Sequence, residues 1–108
     1  MIAAEIPMLP QLDALAGDLE TTAGRLLEAP ADRSLHRALL QQIQALSDMA
    51  AAPELPLFLR SLAKDLEMRA NRIALIVEAA EPSDLDGAIR ALRQGLSDLR
   101  HAIARGRA

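Results

Sequence analysis

The sequence predicts an all-α protein, an antiparallel up-down-up-down four-helix bundle, and three observations carry that reading. Prolines divide the 108 residues into four stretches of helical length. Each stretch repeats its apolar residues at steps of three and four, and none alternates with the period of two that a half-buried strand shows. Composition agrees, with 51% hydrophobic and 25% charged residues and Phe58 as the sole aromatic. A core of Leu, Ile, Ala and Met suits packed helices better than strands, which favour β-branched and aromatic side chains.

The first helix is expected over about residues 9–29, with Pro10 tolerated in its first turn. Met8, Leu12, Leu15, Leu19, Thr22 and Leu26 form its inward seam. The second is expected over about residues 32–51, capped by Asp32 or Ser34, with Leu35, Leu39, Gln42, Leu46 and Met49 inward. The third covers about residues 56–80 and turns Leu59, Leu62, Leu66, Ala70, Ile73, Val77 and Ala80 inward. Its step from Leu66 to Ala70 follows another step of four, a stutter that locally unwinds a supercoil. The fourth covers about residues 83–104 with Leu85, Ile89, Leu92, Leu96, Leu99 and Ile103 inward. Ser83 with Asp86 has the spacing of a capping box, and Gly106 is a natural stop. Short connections favour antiparallel neighbours within one domain, residues 1–108. A more open protomer completed by homodimerisation is the other arrangement the pattern allows.

Composition also removes whole classes of chemistry. Without cysteine there is no disulfide, thiolate nucleophile or Cys-based metal centre. The segment Met1–Pro7 lacks the basic region and apolar core of a secretory signal. No run approaches the ~18 apolar residues that span a bilayer. The expected location is therefore the cytoplasm, and eleven Arg against one Lys suggests a GC-rich bacterial source.

Catalytic and cofactor sites find little support. A di-iron bundle needs Glu-x-x-His on two helices, and the two histidines, His36 and His101, have no such partner. They fall at opposite ends of parallel helices, about 27 Å apart at 1.5 Å per residue. Haem held by Met8 and His101 fails because His101 takes the outermost heptad position. No cofactor and no metal is expected. The serines lack a glycine-rich elbow, and neither a phosphate loop nor a dinucleotide fingerprint is present, so the chain is not expected to be an enzyme. A histidine phosphotransfer-like role for His36, flanked by Arg33 and Arg37, is the alternative function. Arg69 and Arg72, which interrupt the apolar pattern of the third helix, would with His36 be the residues of an anion or phosphate site.

Arg93, Arg100 and Arg107 recur every seven residues along the fourth helix. A net charge of −3 and the lack of stacking aromatics nevertheless argue against nucleic acid, and membrane binding is not expected either. Small residues also recur by heptads: Ala38, Ala45 and Ala52, then Ala88, Gly95 and Ala102, with Ala16 and Ala23 beside Gly17 and Gly24. Such columns let backbones approach closely, within one chain or between two. Leu27, Leu40, Leu57, Phe58, Met68 and Leu75 lie off the main seams. The expected function is a non-enzymatic protein–protein interaction module, an adaptor, regulator or chaperone-like bundle whose partner is another protein or a second copy. Its expected contact residues are Leu55, Leu57, Phe58, Ala38, Ala45, Ala88 and Gly95.

Overall fold

The computed structural model describes residues 8–80 and 82–106, and all secondary structure among them is helical. Four α-helices follow one another: α1 (Leu9–Glu28), α2 (Arg33–Ala50), α3 (Leu57–Glu78) and α4 (Leu85–Gly106). Each packs against two neighbours, α1 on α2, α2 on α3, α3 on α4 and α4 back on α1, while the diagonal pairs stay apart. That closed ring is a four-helix bundle. Cross-helix contacts give the direction of the closing pair. The Arg93 guanidinium lies beside Gly24 and that of Arg100 beside Gly17, so α1 and α4 run antiparallel. None of the described helices is long and apolar enough to cross a membrane.

The seams read from the sequence face the core. Leu12, Leu19, Leu26, Leu39, Leu46, Leu59, Leu66, Ile73, Ile89, Leu92 and Leu99 are fully enclosed. Each such Leu or Ile contributes about 1.5–3 kcal/mol relative to exposure, so this aliphatic centre is the main stabilising element. One layer is polar. Thr22 is buried, and its hydroxyl accepts a hydrogen bond from Gln42 Nε2 at 2.9 Å, joining α1 to α2. Gln42 Oε1 is also buried and has no hydrogen-bond partner among the described residues.

Helix ends follow local chemistry. The Asp32 carboxylate accepts from the backbone N–H of Ser34 at 2.8 Å and of Leu35 at 3.3 Å, so Asp32, rather than Ser34, is the cap of α2. Pro56 immediately precedes α3, where its missing N–H costs nothing. Ala80, expected to face inward, is exposed. It adopts φ 56°, the left-handed turn that ends a helix and favours glycine. The Ser83–Asp86 capping box is replaced by a 3-10 turn over Pro82–Asp84, with α4 starting at Leu85. Asp86 instead pairs with Arg90 one turn on, at 2.7 Å. The segment 1–7, Glu81 and Arg107 lie outside the described residues.

Candidate functional site

Most of the residues expected at an intermolecular contact are used inside the chain. Leu55 is 1% exposed, because the turn before α3 folds back over the end of the core. Its backbone N–H donates to the Ala52 carbonyl, and its own carbonyl accepts from Arg60 Nε at 3.0 Å. Ala88 and Gly95, with Ala102, are buried along α4. At Gly95 an added Cβ would come within 2.9 Å of Leu66 Cδ2 and 3.2 Å of Arg69 Cδ, so the missing side chain is what lets α4 approach α3. Ala16 and Ala23 are buried in α1, Ala45 packs half-buried against the core, and Ala38 is half-buried. Ala16, Ala23, Ala52, Ala88, Gly95 and Ala102 are thus packed within the chain, while Ala38 and Ala45 remain half-buried, and Leu55, Ala88 and Gly95 are not free surface.

Leu57 and Phe58 are different. They are 69% and 50% exposed, and Met68 and Leu75 on the same helix are 64% and 66% exposed. Leu57, Met68 and Leu75 are eleven and seven residues apart. At 3.6 residues per turn they lie within about 20° of one line along α3, spaced by roughly 16 and 10 Å. That line is opposite the face carrying Leu59, Ala63, Leu66, Ala70 and Ile73, so α3 carries three large apolar groups on the side away from the core. Polar Ser61, Lys64, Asn71 and Arg72 stand between the outer apolar groups. The alignment of Met68 and Leu75 with Leu57 is already implied by their spacing in a helix, and the packing of α3 adds that this face is left uncovered within the chain.

The residues of the expected anion site are not brought together. His36 is half-buried and its Nε2 donates to the Pro30 carbonyl at 2.7 Å, tying α2 to the turn after α1. Arg69 reaches from α3 to the Ala91 carbonyl on α4, and its Nε pairs with Asp65 at 2.9 Å. Both groups serve as internal ties. Arg72 is exposed and borders a separate cleft with Ser83, Asp84, Asp86 and Arg90. Among the described residues no cluster of three or more His, Asp or Glu side chains is arranged to hold a metal ion.

A second feature lies between α1 and α4, where Glu20, Arg93, Leu96, Ser97, Arg100 and His101 line a cleft of about 330 Å³. Arg100 pairs with Glu20 across the helices at 2.7 Å. Nδ1 of His101 donates to the Ser97 carbonyl at 2.9 Å. No known protein family, curated protein or solved structure matches this chain.

Proposed function

We propose that this bundle is a non-enzymatic interaction module that binds another protein, or a second copy of itself, through the outer face of α3. The observation behind the reading is that Leu57, Phe58, Met68 and Leu75 are each at least half exposed on a helix whose opposite side already fills the core. Single exposed leucines are ordinary on protein surfaces. Met68 and Leu75, seven residues apart, have the spacing of anchors by which a helix is read in a partner's groove, with Leu57 and Phe58 exposed at the helix start. Such anchors act by leaving water, and each fully buried one contributes about 1.5–3 kcal/mol. The polar groups between them would form the rim of the contact.

Native mass spectrometry on protein purified gently from its own host tests this reading, with the double variant Leu57→Glu/Leu75→Glu beside wild type. Concentrations must come from peptide-bond absorbance, since Trp and Tyr are absent. The expected result is a dimer, or a heteromer of simple stoichiometry, for wild type and a bare monomer of unchanged helicity for the variant. A wild type that is itself a bare monomer, or a variant that keeps the same assembly, contradicts the proposal.

A further inference from the structure

Among the described residues one ion pair joins α1 to α4, and the equivalent position two turns along has no acidic partner. Arg100 on α4 meets Glu20 on α1 at 2.7 Å. In an antiparallel pair, moving seven residues along each helix reaches the next equivalent position, and there Arg93 stands opposite Leu27. Leu27 is 36% exposed and offers no charge. Arg93 makes no hydrogen bond or ion pair among the described residues, although its guanidinium lies over the α1 backbone, 3.6 Å from where a Cβ on Gly24 would stand. Glu28, one turn beyond Gly24, is exposed and does not pair with it.

The unpaired guanidinium opens into the cleft of about 330 Å³. From Arg93 the lining continues at helical spacing through Ser97, one turn on, to Arg100 and His101, with buried Leu96 beneath. His101, whose Nδ1–H is donated to the Ser97 carbonyl, bounds the far end of the cleft. Glu20, which also lines the cleft, is held on Arg100 and shows how an oxyanion docks on this face; about two helical turns back along α4, Arg93 offers the same chemistry with no carboxylate paired to it among the described residues. The volume lies at the small end of the range typical of small-molecule sites, about 300–1,000 Å³.

We infer that this cleft binds a small molecule carrying a phosphate or carboxylate group, with Arg93 as its principal contact, Ser97 as hydrogen-bond donor and Arg100 and His101 at the far end. The inference is independent of the α3 face. Bidentate docking of an oxyanion on a guanidinium is geometrically specific, and it favours arginine over lysine at such sites.

The test follows backbone amides and arginine Nε–Hε groups by NMR while sodium pyrophosphate, and separately sodium citrate, is added against sodium chloride of equal ionic strength. Wild type should show saturable shifts confined to Arg93, Ser97 and their neighbours with at least one of the two anions. Arg93→Gln should weaken that binding by about tenfold or more, equivalent to about 1.4 kcal/mol. Arg90→Gln, which removes an arginine already paired on its own helix, should leave the affinity unchanged. Leu27→Glu supplies the missing internal carboxylate and should compete with the ligand, reducing affinity to a similar degree while helicity is retained. Shifts that never saturate, that spread over all arginines, or that survive both Arg93→Gln and Leu27→Glu would overturn the assignment. The absence of shifts with both anions would overturn it equally.

Discussion

Thr22 and Gln42 occupy positions that the apolar repeat assigns to the core, and together they form the polar layer between α1 and α2. A hydrogen bond of this kind contributes only about 0.5–1.5 kcal/mol net, whereas a buried polar group stripped of its partner costs about 1–3 kcal/mol. Gln42 already has one buried oxygen without a hydrogen-bond partner among the described residues. Thr22→Val, which leaves the amide with nothing to bond, should therefore destabilise the fold by about 1–3 kcal/mol. Thr22→Val/Gln42→Leu, which removes both groups, should return close to wild type or exceed it. Urea unfolding followed by circular dichroism separates these outcomes, and a double variant less stable than the single one would show that the pair contributes more than its geometry suggests. The two residues could be placed on the seam from sequence because the heptad step assigns each a face. Their hydrogen bond could not, because it depends on the axial offset of α1 against α2, which no repeat within one helix encodes. His36 shows the same limit. Its place in the helix implied a half-exposed ring, as observed, but not the hydrogen bond that the ring makes to the Pro30 carbonyl six residues back.

Among the helices, α3 and α4 show how small residues acquire meaning only from what faces them. Gly87 and Gly95 both lie in α4, yet a Cβ at Gly87 meets nothing within 4 Å while one at Gly95 overlaps Leu66. Glycine within a helix is disfavoured against alanine by about 0.5–1 kcal/mol, so Gly87→Ala should stabilise by roughly that amount. Gly95→Ala should gain less or lose stability, because Leu66 and the Arg69 stem must move to admit the methyl group. Thermal melts of the two variants check the contrast, and equal gains at both positions would mean that α3 and α4 are further apart than described. Heptad arithmetic located the column of Ala88, Gly95 and Ala102 correctly but did not say whether the opposing helix belonged to the same chain. Periodicity gives the direction of a side chain around its own axis, and the identity of its neighbour is a tertiary fact. The apolar residues outside the seam were ambiguous for a related reason. Leu55 closes the core, whereas Leu57, two residues later, points outward at the start of α3.

At the scale of the whole molecule, four amphipathic helices close a ring that buries most of their heptad-seam residues within one chain. The proposed division of labour follows from that closure, with the small-residue columns holding the monomer together and the outer face of α3 left for a partner. The two roles respond differently to substitution. A large residue in an inner column should damage the fold, whereas a charge on the outer face should alter assembly and leave the fold intact. The most direct measurement is thermal unfolding combined with sedimentation equilibrium for Gly95→Leu and Leu75→Glu beside wild type. This division of labour requires a lowered melting temperature for Gly95→Leu and, for Leu75→Glu, a wild-type monomer fold with weakened association. A Gly95→Leu protein that melts like wild type but no longer assembles would contradict it, because the column would then be the interface and the α3 face would not.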